Sequence, residues 1–155
     1  MKPSTVLRIT SLITLVFAAG HSLGGMGSWS PVGDTEVLRA MQSFRFDAGG
    51  VTRTYFDFYL GFGWILSVYL CLQALLLWQL AALAKTEALR LRPLVASFFV
   101  ASIVSAGLSW KFIFAVPAVS FSVIAVGFGI AFFSASRAKD AQPLVAADGP
   151  QAARR

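Results

Sequence analysis

TYFDFYLGFGWILSVYLCLQALLLWQLAALA, residues 54–84, holds one charged side chain, Asp57, in 31 positions. At about 1.5 Å per residue such a helix rises about 45 Å, more than the roughly 30 Å of a bilayer's hydrocarbon core. A helix on the surface of a soluble domain shows an apolar stripe and a solvated face. This stretch is apolar on every side. It reads as a transmembrane helix, long enough to tilt or to project beyond the bilayer.

Three further apolar runs surround it, so that the four occupy about 5–27, 55–84, 93–113 and 117–136. Together they predict an all-α fold, an integral membrane four-helix bundle forming one domain over residues 1–139. Residues 140–155 lack periodicity and contain Pro143, Gly149 and Pro150, which predicts a disordered cytoplasmic tail. Composition agrees. Of 155 residues, 57% are hydrophobic and 13% charged, where soluble domains average about 25% charged. The mean hydropathy is +0.71.

The net charge of +6 does not point to nucleic acid, because the basic residues sit at the ends of apolar runs and no nucleic-acid motif accompanies them. Lys2, Arg8, Lys85, Arg90, Arg92, Arg137 and Lys139 fall on one side; Arg39, Arg45, Arg53 and Lys111 fall on the other. Seven against four places both termini in the cytoplasm and exports the loop 28–54. The first run, with Val16-Phe17-Ala18, also has the form of a secretory signal. It continues through His21 to Gly27, however, and the topology requires that it be retained. Phe114 to Pro117 leaves only a tight turn between the last two runs, with Pro117 expected as the first residue of its helix.

Within the loop, Ser30 to Asp34 reads as a turn ending in Asp34 as an N-cap. Val37, Leu38, Met41 and Phe44 recur at helical spacing. They predict an amphipathic helix over about Asp34–Phe46, ended by Gly49-Gly50 and lying on the outer surface or over the bundle mouth.

In lipid, helices associate by close backbone approach and polar contacts. Small residues four apart supply candidate seams: Gly20, Gly24 and Ser28; Gly63, Ser67 and Cys71; Ser97, Ala101, Ser105 and Ser109; Gly127, Ala131 and Ala135. They suit a compact bundle, and equally a homo-oligomer or a partner membrane protein. Cys71 is read as a small packing residue.

Polar chemistry is sparse and is expected at one level near the exported face. His21, the sole histidine, lies at membrane depth three residues before Gly24 and should face the packed interior. It is either a neutral hydrogen-bonded helix contact or a proton shuttle. Thr54-x-x-Asp57 matches a capping box, and Arg53 is four residues from Asp57 and placed to pair with it. Trp110 and Lys111 suit interfacial anchors; Arg45 and Asp47 pair with each other or with lipid headgroups. The candidate catalytic residues are His21 and Asp57, provided they share a cavity. The candidate ligand-binding residues are Arg45, Arg53, Tyr59, Trp110 and Lys111.

One histidine without a cysteine cluster offers too few metal ligands, bis-histidine haem would require a dimer, and no cofactor is expected. There is no nucleophile elbow, phosphate loop or paired carboxylate motif. The leading expectation is an accessory module binding membrane lipids or a small apolar molecule. The alternative is a membrane enzyme or carrier acting on a lipid-like molecule through His21 and Asp57. A channel ranks third, for want of a repeated polar stripe.

Gly20-His21-Ser22-Leu23-Gly24, Arg45-Phe46-Asp47 leading to Asp57-Phe58-Tyr59-x-Gly61-Phe62-Gly63, and Leu108-Ser109-Trp110 resemble a family of small bacterial four-helix integral membrane proteins that carry no assigned activity. The resemblance covers about Thr5 to Ser136. It implies a bacterial inner-membrane location and the four-helix layout. Likeness to DoxX-like proteins and to the sterol-isomerase-like membrane fold is analogy of layout alone, with no shared motif.

Overall fold

A computed structural model describes residues 1–25, 30 and 32–140 of the chain. The expectations for Gly27, Ser28, Pro31 and the tail beyond residue 140 lie outside the described residues, as do the side chains of Arg137 and Lys139.

The elements in chain order are α1 (Pro3–Gly25), α2 (Glu36–Ser43), β1 (Arg45–Asp47), β2 (Thr52–Thr54), α3 (Tyr55–Leu83), α4 (Arg92–Phe112) and α5 (Ala115–Asp140). The fold is all-α apart from one short hairpin, and α1, α3, α4 and α5 are each long and apolar enough to cross a membrane. The sequence boundaries hold to within a few residues, with one correction. Because α5 begins at Ala115, Pro117 is its third residue rather than its first. Its missing N–H still costs nothing, since the first four amides of a helix have no intrahelical acceptor.

Pairwise contacts fix the arrangement. The hydroxyl of Ser11 in α1 donates to the Ala74 carbonyl of α3 at 2.7 Å, and His21 Nδ1 lies 3.0 Å from Ser67 Oγ. Partner numbers fall as α1 advances, so the two helices are antiparallel. Phe17 meets Phe121 of α5 edge-on at 5.2 Å, while Thr10 faces Gly127, so α5 is also antiparallel to α1. Phe98 of α4 stacks on Phe128 of α5 at 5.4 Å. The helices therefore pack in the order α3–α1–α5–α4, with no comparable seam between α3 and α4. Leu7, Leu77, Val95 and Phe128 bring all four into one buried cluster.

At one point α1 and α5 meet without room for a further methyl group. A Cβ built on Gly127 would run into Oγ1, Cγ2 and Cβ of Thr10. Thr10 is β-branched, and its hydroxyl donates to the Val6 carbonyl at 3.0 Å, which holds the side chain in one rotamer. The stripe Gly127, Ala131, Ala135 thus forms a seam, with both alanines buried. The other stripes are only partly buried: Ser67 and Ser109 are buried, but other members are not. Gly20 meets nothing within 4 Å, Cys71 is exposed, and Ser97 and Ala101 face outward. The buried face of α1 is instead Leu7, Thr10, Ser11, Thr14 and Ala18.

The exported-loop reading needs several corrections. Thr35, not Asp34, caps α2: its backbone is extended (φ −128°, ψ 163°) and its hydroxyl accepts from Leu38 N. Asp34 pairs with Arg39 at 3.1 Å. The helix stops at Ser43, short of Phe46, because Arg45–Asp47 and Thr52–Thr54 form an antiparallel pair. Gly49 and Gly50, both at positive φ, turn this hairpin rather than ending a helix. The Gly50 N–H donates to Asp47 Oδ1 at 2.8 Å, which occupies the carboxylate expected to pair with Arg45.

Candidate functional site

The capping box at the start of α3 is present. Thr54 Oγ1 accepts from Asp57 N at 3.1 Å and Asp57 Oδ2 accepts from Thr54 N at 2.8 Å. These bonds satisfy two of the helix's orphan amides and anchor Asp57 locally. The Arg53 guanidinium donates to the Thr52 carbonyl at 3.0 Å instead of closing a hydrogen-bonded pair with Asp57. Arg53 and Asp57 line a shallow groove of about 270 Å³ with Phe58, Gly61, Phe62 and Ile65.

His21 sits elsewhere. It is half-buried, beside Ser67 and edge-on to Phe17 with ring centroids 6.4 Å apart. Ser67 Oγ is in turn 3.3 Å from the Gly63 carbonyl. If the serine proton goes to that carbonyl, the imidazole donates through Nδ1; the tautomer follows from this network. Ser67 is ten residues along α3 from Asp57, about 15 Å of helix rise. His21 and Asp57 are therefore set at different depths, and His21 does not line the groove beside Asp57. The sequence correctly turned His21 inward but could not supply its depth relative to α3.

From the His21–Ser67 level α3 runs a further twelve residues to Tyr55, a rise of about 18 Å. The hairpin and α2 pack against α3, and Leu38 of α2 is buried. Phe46 lies 4.8 Å from Tyr55 and 5.7 Å from Phe58, and Phe44 stacks on Tyr55 at 5.8 Å (ring centroids). Phe44, Tyr55, Phe58, Tyr59 and Phe62 remain exposed. Arg45 and Arg53 are exposed on the hairpin beside them. The sequence does not yield this cluster as long as the helix of the loop is extended to Phe46 and Gly49-Gly50 is taken as its end rather than as a hairpin turn. Its signal was available in Arg45-Phe46-Asp47, Gly49-Gly50 and Thr52-Arg53-Thr54.

Trp110 and Lys111 end α4, on the far flank of the row from α3. Trp110 is 75% exposed and Lys111 Nζ lies 5.0 Å over the Phe112 ring. Of the five candidate ligand residues, Arg45 and Arg53 share the hairpin, Tyr59 lies in the first turns of α3 with its ring against Phe56, and Trp110 and Lys111 lie apart at the end of α4. Among the described residues no group of three or more His, Cys, Asp or Glu could hold a metal ion.

No family model, curated protein or solved structure matches this chain. Its chemistry must be read from the geometry alone.

Proposed function

We propose that this chain is a four-span integral protein of a bacterial inner membrane, with both termini in the cytoplasm. It acts as a non-enzymatic accessory module that binds membrane lipid or a small apolar molecule. The observation carrying the reading is the inversion of polarity across the helices. Thr10, Ser11, Thr14, Ser67, Ser102 and Ser109 are buried, while Leu12, Val16, Phe62, Ile65, Val100, Ile103 and Phe133 are exposed. In water that exterior would be an aggregation surface; in lipid it is the expected one, with Ser11 and Ser67 making contacts between helices and Thr10, Thr14 and Ser102 donating to carbonyls of their own helices.

The up-down order of the helices supports the orientation. It gathers Lys2, Arg8, Lys85, Arg90 and Arg92 at one end and Arg39, Arg45, Arg53 and Lys111 at the other, with the larger basic group on the cytoplasmic side. On the exported side, the exposed aromatics around Tyr55 with Arg45 and Arg53 form an interfacial belt suited to lipid headgroups. A catalytic pair of His21 and Asp57 is disfavoured by their separation.

The reading is tested by membrane fractionation at alkaline pH followed by native mass spectrometry of the detergent-extracted protein. The expected result is retention in the washed membrane and co-purification of lipid, a further copy or a partner chain. Release into the wash would refute the membrane reading, and a bare, monomeric species would refute the binding module.

A further inference from the structure

A hollow lies at the opposite end of the bundle from the aromatic cluster. Its volume is about 780 Å³, within the roughly 300–1,000 Å³ usual for ligand pockets. Three separate parts of the chain form it: Lys2 and Ser4 at the start of α1, Lys85, Glu87 and Arg90 in the α3–α4 loop, and Ala135 of α5. Three cations thus converge against one carboxylate, and Glu87 holds Arg90 at 3.2 Å.

The loop is wound into consecutive turns. Thr86 N and Glu87 N donate to the Leu83 carbonyl at 3.1 and 2.9 Å, and Arg90 N donates to the Glu87 carbonyl at 3.0 Å. The basic side chains therefore project from an ordered backbone. The positive end of the 23-residue helix α1 opens on the same hollow, adding to the field felt by an anion. Just below, Ile9 of α1 and Leu83 of α3 are exposed on the apolar flank. A cationic hollow above an exposed apolar flank matches an amphiphile with an anionic head better than it matches a free anion.

We infer that this hollow binds the phosphate of an anionic phospholipid headgroup, with the acyl chains lying along the outer faces of α1 and α3. The inference rests on the membrane reading above and assigns to the cytoplasmic leaflet a lipid site distinct from the exported aromatic belt. Basic pockets at the cytoplasmic ends of transmembrane helices recognise such headgroups through the same chemistry.

The test uses the full chain in nanodiscs containing phosphatidylcholine with either phosphatidylglycerol or no anionic lipid, read by native mass spectrometry of the lipid retained on extraction. Lys2→Gln, Lys85→Gln and Arg90→Gln should each lower phosphatidylglycerol retention about fivefold, equivalent to about 1 kcal/mol per charge. The charge-conserving Lys85→Arg and Arg90→Lys should retain it, which separates lost binding from lost folding. Arg8 is at the same end but stacks on Trp78 at 5.1 Å and does not line the hollow, so Arg8→Gln should change retention less than twofold. Equal loss from Arg8→Gln would mean diffuse surface charge and overturn the site. Displacement of the lipid by millimolar inorganic phosphate or glycerol phosphate would overturn the lipid as ligand in favour of a soluble anion. Indifference to all three Gln substitutions, in protein that remains in alkali-washed membranes, would overturn the inference while leaving the membrane reading intact.

Discussion

Helices α1 and α4 are of similar length and composition but are used in opposite ways. α1 lies between two neighbours, buries Thr10, Ser11 and Thr14, and sets the Thr10 side chain directly over Gly127 of α5. α4 packs along α5, buries Val95, Ser102 and Ser109, and turns Ser97 and Ala101 outward. The small-residue stripe of α4 is the longer in sequence, yet Ser97 and Ala101 in it are exposed, while the α1 face without glycine is buried between two neighbours. Spacing of small residues shows where a helix is able to pack. It does not show which neighbour arrives.

The largest effect should come from filling the α1–α5 seam. Gly127→Ala forces a methyl against Thr10, whose rotamer is fixed, and should destabilise the protein by about 1–3 kcal/mol. Unfolding in mixed micelles measures it. Thr10→Ala in the same chain should recover most of the loss, and an additive double mutant would show that the two residues do not meet.

Second in size is the cap that starts α3. Thr54→Ala removes the acceptor for Asp57 N and should cost about 1 kcal/mol. Hydrogen exchange should show the loss confined to residues near 54–58; a uniform change along α3 would contradict a local cap.

Smaller again are the polar ties of α1 to α3. Ser11→Ala and His21→Ala each remove one interhelical hydrogen bond, for which about 0.6 kcal/mol is the membrane average and about 1.7 kcal/mol the upper end. Equilibrium unfolding of each variant should fall in that range. A loss near zero for both would mean that apolar packing alone sets the register of the two helices.

Least affected should be the exposed face of α4. Ala101→Leu should change stability by no more than about 0.5 kcal/mol, measured by the same unfolding assay. A clear loss, accompanied by a change in oligomeric state in detergent, would mean that this stripe is a contact between copies.

The sequence made the long helices legible because apolar length is a direct consequence of the surrounding solvent and needs no knowledge of neighbours. It also made the Thr54–Asp57 box legible, since the motif is satisfied within four residues. Three features depended on tertiary packing and were not legible. The depth of His21 relative to Asp57 required the α1–α3 register, which Ser11, Ala74 and Ser67 set. The outward turn of Ser97 and Ala101 required knowing that α4 has one principal partner. The hollow around Lys2, Lys85 and Arg90 required three distant segments to meet, whereas in sequence those residues bear only on orientation. The hairpin at Arg45–Thr54 is a different case: Val37, Leu38, Met41 and Phe44 at helical spacing extended the helix reading past Ser43, and the Gly49-Gly50 turn was taken for its end.

Reporter fusions at Gly33 and Leu89 test the central claim most directly, because the two positions lie in the segments before and after α3. The account predicts an exported signal from Gly33, ahead of α2 and the hairpin, and a cytoplasmic signal from Leu89, beside the cationic hollow. A cytoplasmic signal from Gly33, an exported one from Leu89, or the same compartment for both would contradict the inverted four-helix arrangement across the membrane.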